Sequence, residues 1–271
     1  MREGGPRRGR VPTNGPTTGV SGHRAISDVV GYVLVVSLVI SVVGVVSVAG
    51  FSSLEDARYA EQAANAERAF DVLADNVGDV YADGAPSRGT EISLSDASLR
   101  TTGSVTVNVT ARDTSTGDNF TLEKTAQPIV WRGERDTELV YTLGATLRAE
   151  SDGGVVIEGT PSRYDTDRAV FRVVQTRAPP TQFGGTTVRV RAVHASSNVL
   201  LSEPTDRYDE IWLNVTTPRA AIWAQHLERY PNTVCSVGVV PGESTETVSC
   251  EFTDRDAVHV TLTRIDVEIE N

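Results

Sequence analysis

Lysine is nearly missing from this chain: Lys124 is the sole lysine in 271 residues, and every other basic side chain is arginine. Set beside 36 acidic residues and a net charge of −11, this fits a protein kept hydrated in high salt by its carboxylates; a GC-rich genome, which encodes arginine in preference to lysine, is a compatible second reading. Surplus acid repels phosphate backbones and anionic headgroups, which excludes nucleic acid as a partner. The usual chemical motifs are missing too. There is no Gly-rich phosphate loop, no Gly-x-Ser-x-Gly elbow and no zinc spacing of Cys and His. His23, His194, His226 and His259 are scattered, and His226 shares the apolar face of a helical segment, where a partly buried structural residue is expected. No glycosidase-like carboxylate pair stands out. Neither Asp152-Gly153-Gly154 nor Asp206-Arg207-Tyr208-Asp209 has calcium-loop spacing. The expectation is a non-enzymatic protein without cofactor or metal.

Charge of either sign is missing from residues 29–51, a run of 23 dominated by Val, Ile and Leu. Such a run rises roughly 35 Å as a helix, enough to cross a bilayer. Lipid leaves backbone amides no partner but one another, so the segment is expected to be a transmembrane helix. Arg2, Arg7, Arg8, Arg10 and Arg24 against Glu3 make the first 25 residues +4, which leaves −15 for residues 26–271. By the positive-inside rule the N-terminus is expected in the cytoplasm and the acidic body outside.

Beyond the run, Ala66, Ala69, Phe70, Leu73, Val77, Val80 and Tyr81 recur at helical spacing, so the helix is expected to continue to Asp83 with one face laid on a domain. Asp83-Gly84-Ala85-Pro86 ends it. From about Thr90 the period becomes two: Val105, Val107 and Val109; Val188, Val190 and Ala192; Val258, Val260 and Leu262 all alternate with polar residues. One short helix is expected after Thr217 as cap and Pro218 in the first turn, with Ile222, Trp223, His226, Leu227 and Tyr230 on one face before Pro231. The fold class is therefore α+β: a long N-terminal transmembrane helix running into an amphipathic helix, then an antiparallel β-sandwich-like extracellular domain with one short helix. The expected divisions are 1–25, a basic leader; 26–83, the helix; and 84–271, the β-domain.

Cysteine is scarce as well, only Cys235 and Cys250 being present. A hairpin folded about Pro241-Gly242-Glu243-Ser244 brings them face to face, at a separation that suits a disulfide in an oxidising exterior; two buried free thiols are the alternative, and the disulfide is the favoured reading.

Arg24-Ala25-Ile26-Ser27, then Asp28 and the apolar helix, resembles the class III leader of archaeal type IV pilins and archaellins. The resemblance implies a prepilin-type peptidase that recognises Arg24, removes everything through Ala25 and leaves Ile26 as the new N-terminus. Asp56-Ala57-Arg58, the stretch 65–76 and Gly84-Ala85-Pro86-Ser87-Arg88 look like a group of haloarchaeal pilin-like surface proteins of undefined activity. Many archaeal pilins have Ser-Pro where this chain has Ser27-Asp28. The acidic Asp28 suits a role like that of the glutamate of bacterial pilins, neutralising the Ile26 ammonium of a neighbouring subunit. Cutting before the helix keeps it attached to the exported domain as an assembly element. A competing signal-peptidase site at Ser47-Val48-Ala49 follows an apolar stretch long for a signal peptide, and Arg7-Arg8 lies far from the run.

Within the run Ser37, Ser41 and Gly44 share a narrow sector that suits close helix packing; a single-pass anchor tolerant of serine is the even alternative. Asn108-Val109-Thr110, Asn119-Phe120-Thr121 and Asn214-Val215-Thr216 are N-glycosylation sequons, open to modification in an exported archaeal domain. Three functions follow in order: a membrane-anchored pilin-like surface protein for assembly, adhesion or envelope structure, with other pilin-like subunits as partners; a monomeric single-pass receptor with an uncleaved N-terminus; and an exported hydrolase.

Overall fold

The computed structural model describes residues 22–133, 135–204, 208–239 and 245–271, with backbone alone for residues 22–28 and Pro204. The chain divides into two units, residues 1–56 and 57–271, each described by itself. The first helix, α1 (Gly22–Tyr81), contributes to both.

In the first unit every side chain from Val29 to Asp56 is exposed except the partly covered Val36. This segment is long and apolar enough to cross a membrane. In the second unit Ala66, Phe70, Leu73, Ala74, Val77 and Val80 form a buried stripe at three- and four-residue steps, as the periodicity predicts, with Ala69 and Tyr81 on its margins. The helix stops at Tyr81 because Gly84 adopts a φ of 74° and the Ala85 N–H turns back to the Asp79 carbonyl at 3.0 Å.

The rest of the second unit is mostly β. Its strands, in chain order, are β1 (Ser87–Ser93), β2 (Ser98–Arg100), β3 (Val105–Arg112), β4 (Asn119–Ala126), β5 (Ile129–Arg132), β6 (Glu138–Thr142), β7 (Ala145–Glu150), β8 (Gly153–Glu158), β9 (Arg163–Tyr164), β10 (Arg168–Arg177), β11 (Gln182–Gly184), β12 (Thr187–Pro204) and β13 (Glu210–Thr216). After the short helix α2 (Ala220–Leu227) come β14 (Thr233–Val239), β15 (Glu246–Phe252) and β16 (Ala257–Glu270). Sheet I runs β1-β12-β16-β10-β9, sheet II β11-β2-β5-β6-β7-β8, and sheet III β14-β15-β13-β3-β4.

Two apolar cores explain the layering. One is built from sheet III, α2 and parts of sheets I and II; the other from α1, β1 and the remaining parts of sheets I and II. In β5, Val130 enters the first core while Ile129 and Trp131 enter the second; in β6, Val140 and the pair Leu139 and Tyr141 divide the same way. Successive strand residues point to opposite faces, so this part of sheet II is covered on both sides and has no polar alternation. Sheet I changes allegiance along its length. Val258, Val260 and Leu262 of β16 enter the first core and Ile265 and Val267 the second, a shift from even to odd positions that puts the two cores on opposite faces of the strand.

Two expectations are corrected. The sheets are antiparallel except that β10 and β16 run parallel, from Arg168 opposite Ala257 to Arg177 opposite Asp266. The long excursion through sheet III between them removes the hairpin constraint on direction. The short helix begins at Ala220 and Thr217 is not its cap: Arg219 holds the N-cap position without a side-chain bond, while buried Thr217 accepts the Arg219 N–H at 3.3 Å. Tyr230 lies beyond the end of α2 yet still packs edge-on to Tyr164, ring centres 4.9 Å apart.

The cysteine hairpin is as expected. Cys235 lies opposite Cys250 in an unbroken β14–β15 register, and the two form a disulfide with Cα atoms 4.1 Å apart. The turn at 241–244 lies outside the described residues. The β6–β7 hairpin turns on Leu143 and Gly144, both at positive φ (53° and 81°). Leucine is costly there, and its burial in the first core offsets the strain.

Candidate functional site

Arg24, Ala25, Ile26 and Asp28 lie within α1, but their side chains are outside the described residues, as is the leader through residue 21. Ser37, Ser41 and Gly44 fall at steps of four and three along the exposed apolar segment, hence on one side of the helix. The Ser41 hydroxyl donates to the Ser37 carbonyl at 2.8 Å. That bond satisfies the hydroxyl within its own helix, so the side chain brings small size rather than an unmet polar group. A Cβ at Gly44 would meet nothing within 4 Å, which leaves room for the backbone of a neighbour.

In the second unit a cleft of about 390 Å³, lined by polar and apolar side chains in similar measure, opens on sheet I beside the end of α1. Tyr81, Arg172, Ser197, Asn198, Thr261 and Thr263 supply its polar lining, and Val173, Val174 and Val199 are among its apolar lining. Ser197 Oγ lies 3.2 Å from Thr263 Oγ1, also in the wall, and 2.9 Å from Nε2 of His194, which is not one of the lining residues. Burial raises the Tyr81 phenol above its ordinary pKa; Glu158 adds to the rise and Arg172 opposes it. Burial also raises Glu158, helped by Asp75 and Asp71. These cleft residues come from α1, β10, β12 and β16, and no local pattern in the sequence marks them.

Glu138 of β6 receives Arg100 at 2.8 Å and pairs with Arg219 just before α2, all three largely shielded from water. The arrangement ties sheet II to the start of α2, and losing Glu138 would leave two guanidinium groups in poorly solvated positions. His226 on α2 is half-buried, and desolvation, assisted by Arg229, lowers its pKa. Among the described residues no group of three or more His, Cys, Asp or Glu side chains is placed to hold a metal ion.

The sequons are placed unequally. Asn108 and Asn214 lie directly opposite each other on the partly covered outer face of sheet III, with Thr110 donating to Asn108 Oδ1 at 2.9 Å. Asn119 is exposed at the start of β4.

Compared with known proteins, the chain matches a family of unknown function (DUF7289) over residues 24–268 and belongs to that family. No curated protein and no solved structure matches it.

Proposed function

We propose that this chain is a membrane-anchored, exported pilin-like surface protein that acts in assembly, adhesion or envelope structure rather than catalysis. The observation that carries the reading is the all-round exposure of an uncharged apolar helix: Val39 is 54 % exposed and Val48 72 %. Water makes such a surface costly, whereas a bilayer accommodates it. The arginine-rich flank, the disulfide and the acidic domain agree with a cytoplasmic N-terminus and an exported body. On this reading a prepilin-type peptidase cuts between Ala25 and Ile26, Asp28 neutralises a neighbour's Ile26 ammonium, and Ser37, Ser41 and Gly44 form the helix-packing face. The exported domain is sandwich-like in its stacking of sheets, and Asn119 is the best exposed of its sequons. The organism would be a halophilic archaeon.

N-terminal sequencing of the protein from its native membrane tests the route. Ile26 is the expected first residue, and Arg24→Ala or Ala25→Leu should leave membrane insertion intact while blocking the cut. Met1 on the native protein would overturn the pilin-like reading. The cleft on sheet I favours a second reading, a monomeric single-pass receptor with an uncleaved N-terminus, which intact Met1 together with only monomer in native membranes would support.

A further inference from the structure

The face of sheet I that α1 covers continues past the end of the helix. Under the helix it carries Val190, Ala192, Ile265 and Val267, all buried in the second core. Past Tyr81, two rows of side chains cross three strands on that face: Ser197, Thr263 and Val174, then Val199, Thr261 and Arg172. Neighbouring strands lie about 4.8 Å apart, so the rows make a floor roughly 10 Å wide, with Tyr81 and Ala82 at its side. β12 shifts its register on β16 between His194 and Ser196 and again between Val199 and Leu201, on either side of this floor. The first shift moves the face from even positions, Val190 and Ala192, to odd ones, Ser197 and Val199. Bulges re-aim side chains in this way beside binding sites.

We propose that this cleft binds a sugar acid, a hydroxylated ring that carries one carboxylate. The proposal goes beyond anchoring and assembly, and it stands whether or not the chain assembles. The volume, about 390 Å³, lies in the range of small-ligand pockets. Charge selects the carboxylate. The chain has 36 acidic residues, yet among the described residues none of them lines the cleft. Arg172 is the one charged side chain there, and among the described residues its guanidinium has no ion pair or hydrogen bond, whereas Arg177 and Arg191 of the same sheet pair with Asp266 and Glu268. A guanidinium fork matches a carboxylate in a bidentate pair. An amino acid would find no carboxylate for its ammonium, and a doubly charged phosphate would meet the negative end of α1. The remaining lining selects the ring. Ser197, Asn198, Thr261 and Thr263 both donate to and accept from ligand hydroxyls, and a wholly apolar ligand would leave them unpaired. Val199, 71 % exposed, and the Tyr81 ring offer apolar surface to the C–H face of a sugar. At molar salt the screening length is about 3 Å, so the acidic body repels the ligand's carboxylate only near contact.

Ligand-observed NMR titrations of the full chain in detergent at molar salt test the site, with glucuronate and galacturonate as probes beside glucose, galactose and acetate. At least one uronate should bind at least tenfold more tightly than its neutral sugar and than acetate. Arg172→Gln should remove that preference while leaving the neutral sugar's affinity unchanged, and Thr263→Val should weaken both. Urea midpoints equal to the parent's show that the variants are folded, and a variant without that midpoint is replaced by Arg172→Lys or Thr261→Val at the same two sites of contact. Trigalacturonate binding more tightly than galacturonate would assign the site to a glycan chain, and equal binding to a free sugar acid. Failure of both uronates to bind, acetate binding as well as they do, or uronate affinity unchanged in the folded variants would overturn the proposal.

Discussion

Val39 and Val77 belong to the same helix, yet the first is 54 % exposed and the second fully buried. Around Val39 the helix is apolar on every side; around Val77 it alternates with Asp71, Asp75, Asn76 and Asp79, so only one stripe is apolar. A stripe specifies a single covering surface, here sheets I and II, and polar residues keep the rest in water. An all-apolar surface specifies a solvent instead. Secondary structure is the same in both halves, and the distribution of charge around the axis separates their fates.

The largest effect expected is in the striped half. Phe70→Ala should destabilise the β-unit by about 3–5 kcal/mol, because it removes a fully buried ring from the second core. Val39→Ala should change that unit's denaturant midpoint little, by less than about 0.5 kcal/mol. Equal effects at the two positions would break the comparison.

Next is the crosslink. Cys235→Ser together with Cys250→Ser should cost roughly 3 kcal/mol in the chain-entropy model, read from urea unfolding with and without reductant on the parent protein. The loss belongs to the β-unit alone, and membrane association of the chain should not change.

Within the apolar half, Gly44→Leu and Ser41→Leu should lower crosslinked multimers in native membranes several-fold, by filling the space that lets helices approach. Val→Leu changes away from that sector should have little effect. Sensitivity equal all round would mean that the helix meets only lipid.

The smallest effect is electrostatic. His226 has a folded pKa below its unfolded one, so at acid pH the unfolded chain binds more protons there. Its contribution is fully present above about pH 6.5, the ordinary histidine value, and is lost as pH falls toward the folded pKa. Glu158, raised by burial, works in the opposite sense and favours the folded state as pH falls. His226→Gln should therefore flatten the stability–pH curve below about pH 6.5, as read from urea midpoints.

What the amino-acid order determines by itself is local. An uncharged run of 23 residues, a 3.6-residue stripe from Ala66 to Tyr81, period-two valines in β3, β12 and β16, and two cysteines equidistant from a Pro-Gly turn are each legible within a short window, because backbone geometry converts spacing directly into faces. Which element covers each face is decided by tertiary structure. The parallel union of β10 with β16 joins residues 89 apart, and the cleft gathers Tyr81, Arg172, Ser197 and Thr261 from four elements. Neither has a signature in any one segment. Val237 and Val239 of β14 stand two apart on one face as the valines of β3 do, yet β3 is paired on both sides and β14 on one. Periodicity records that a face is apolar, and only the packed sheets decide whether a neighbouring strand of the same chain is there to meet it.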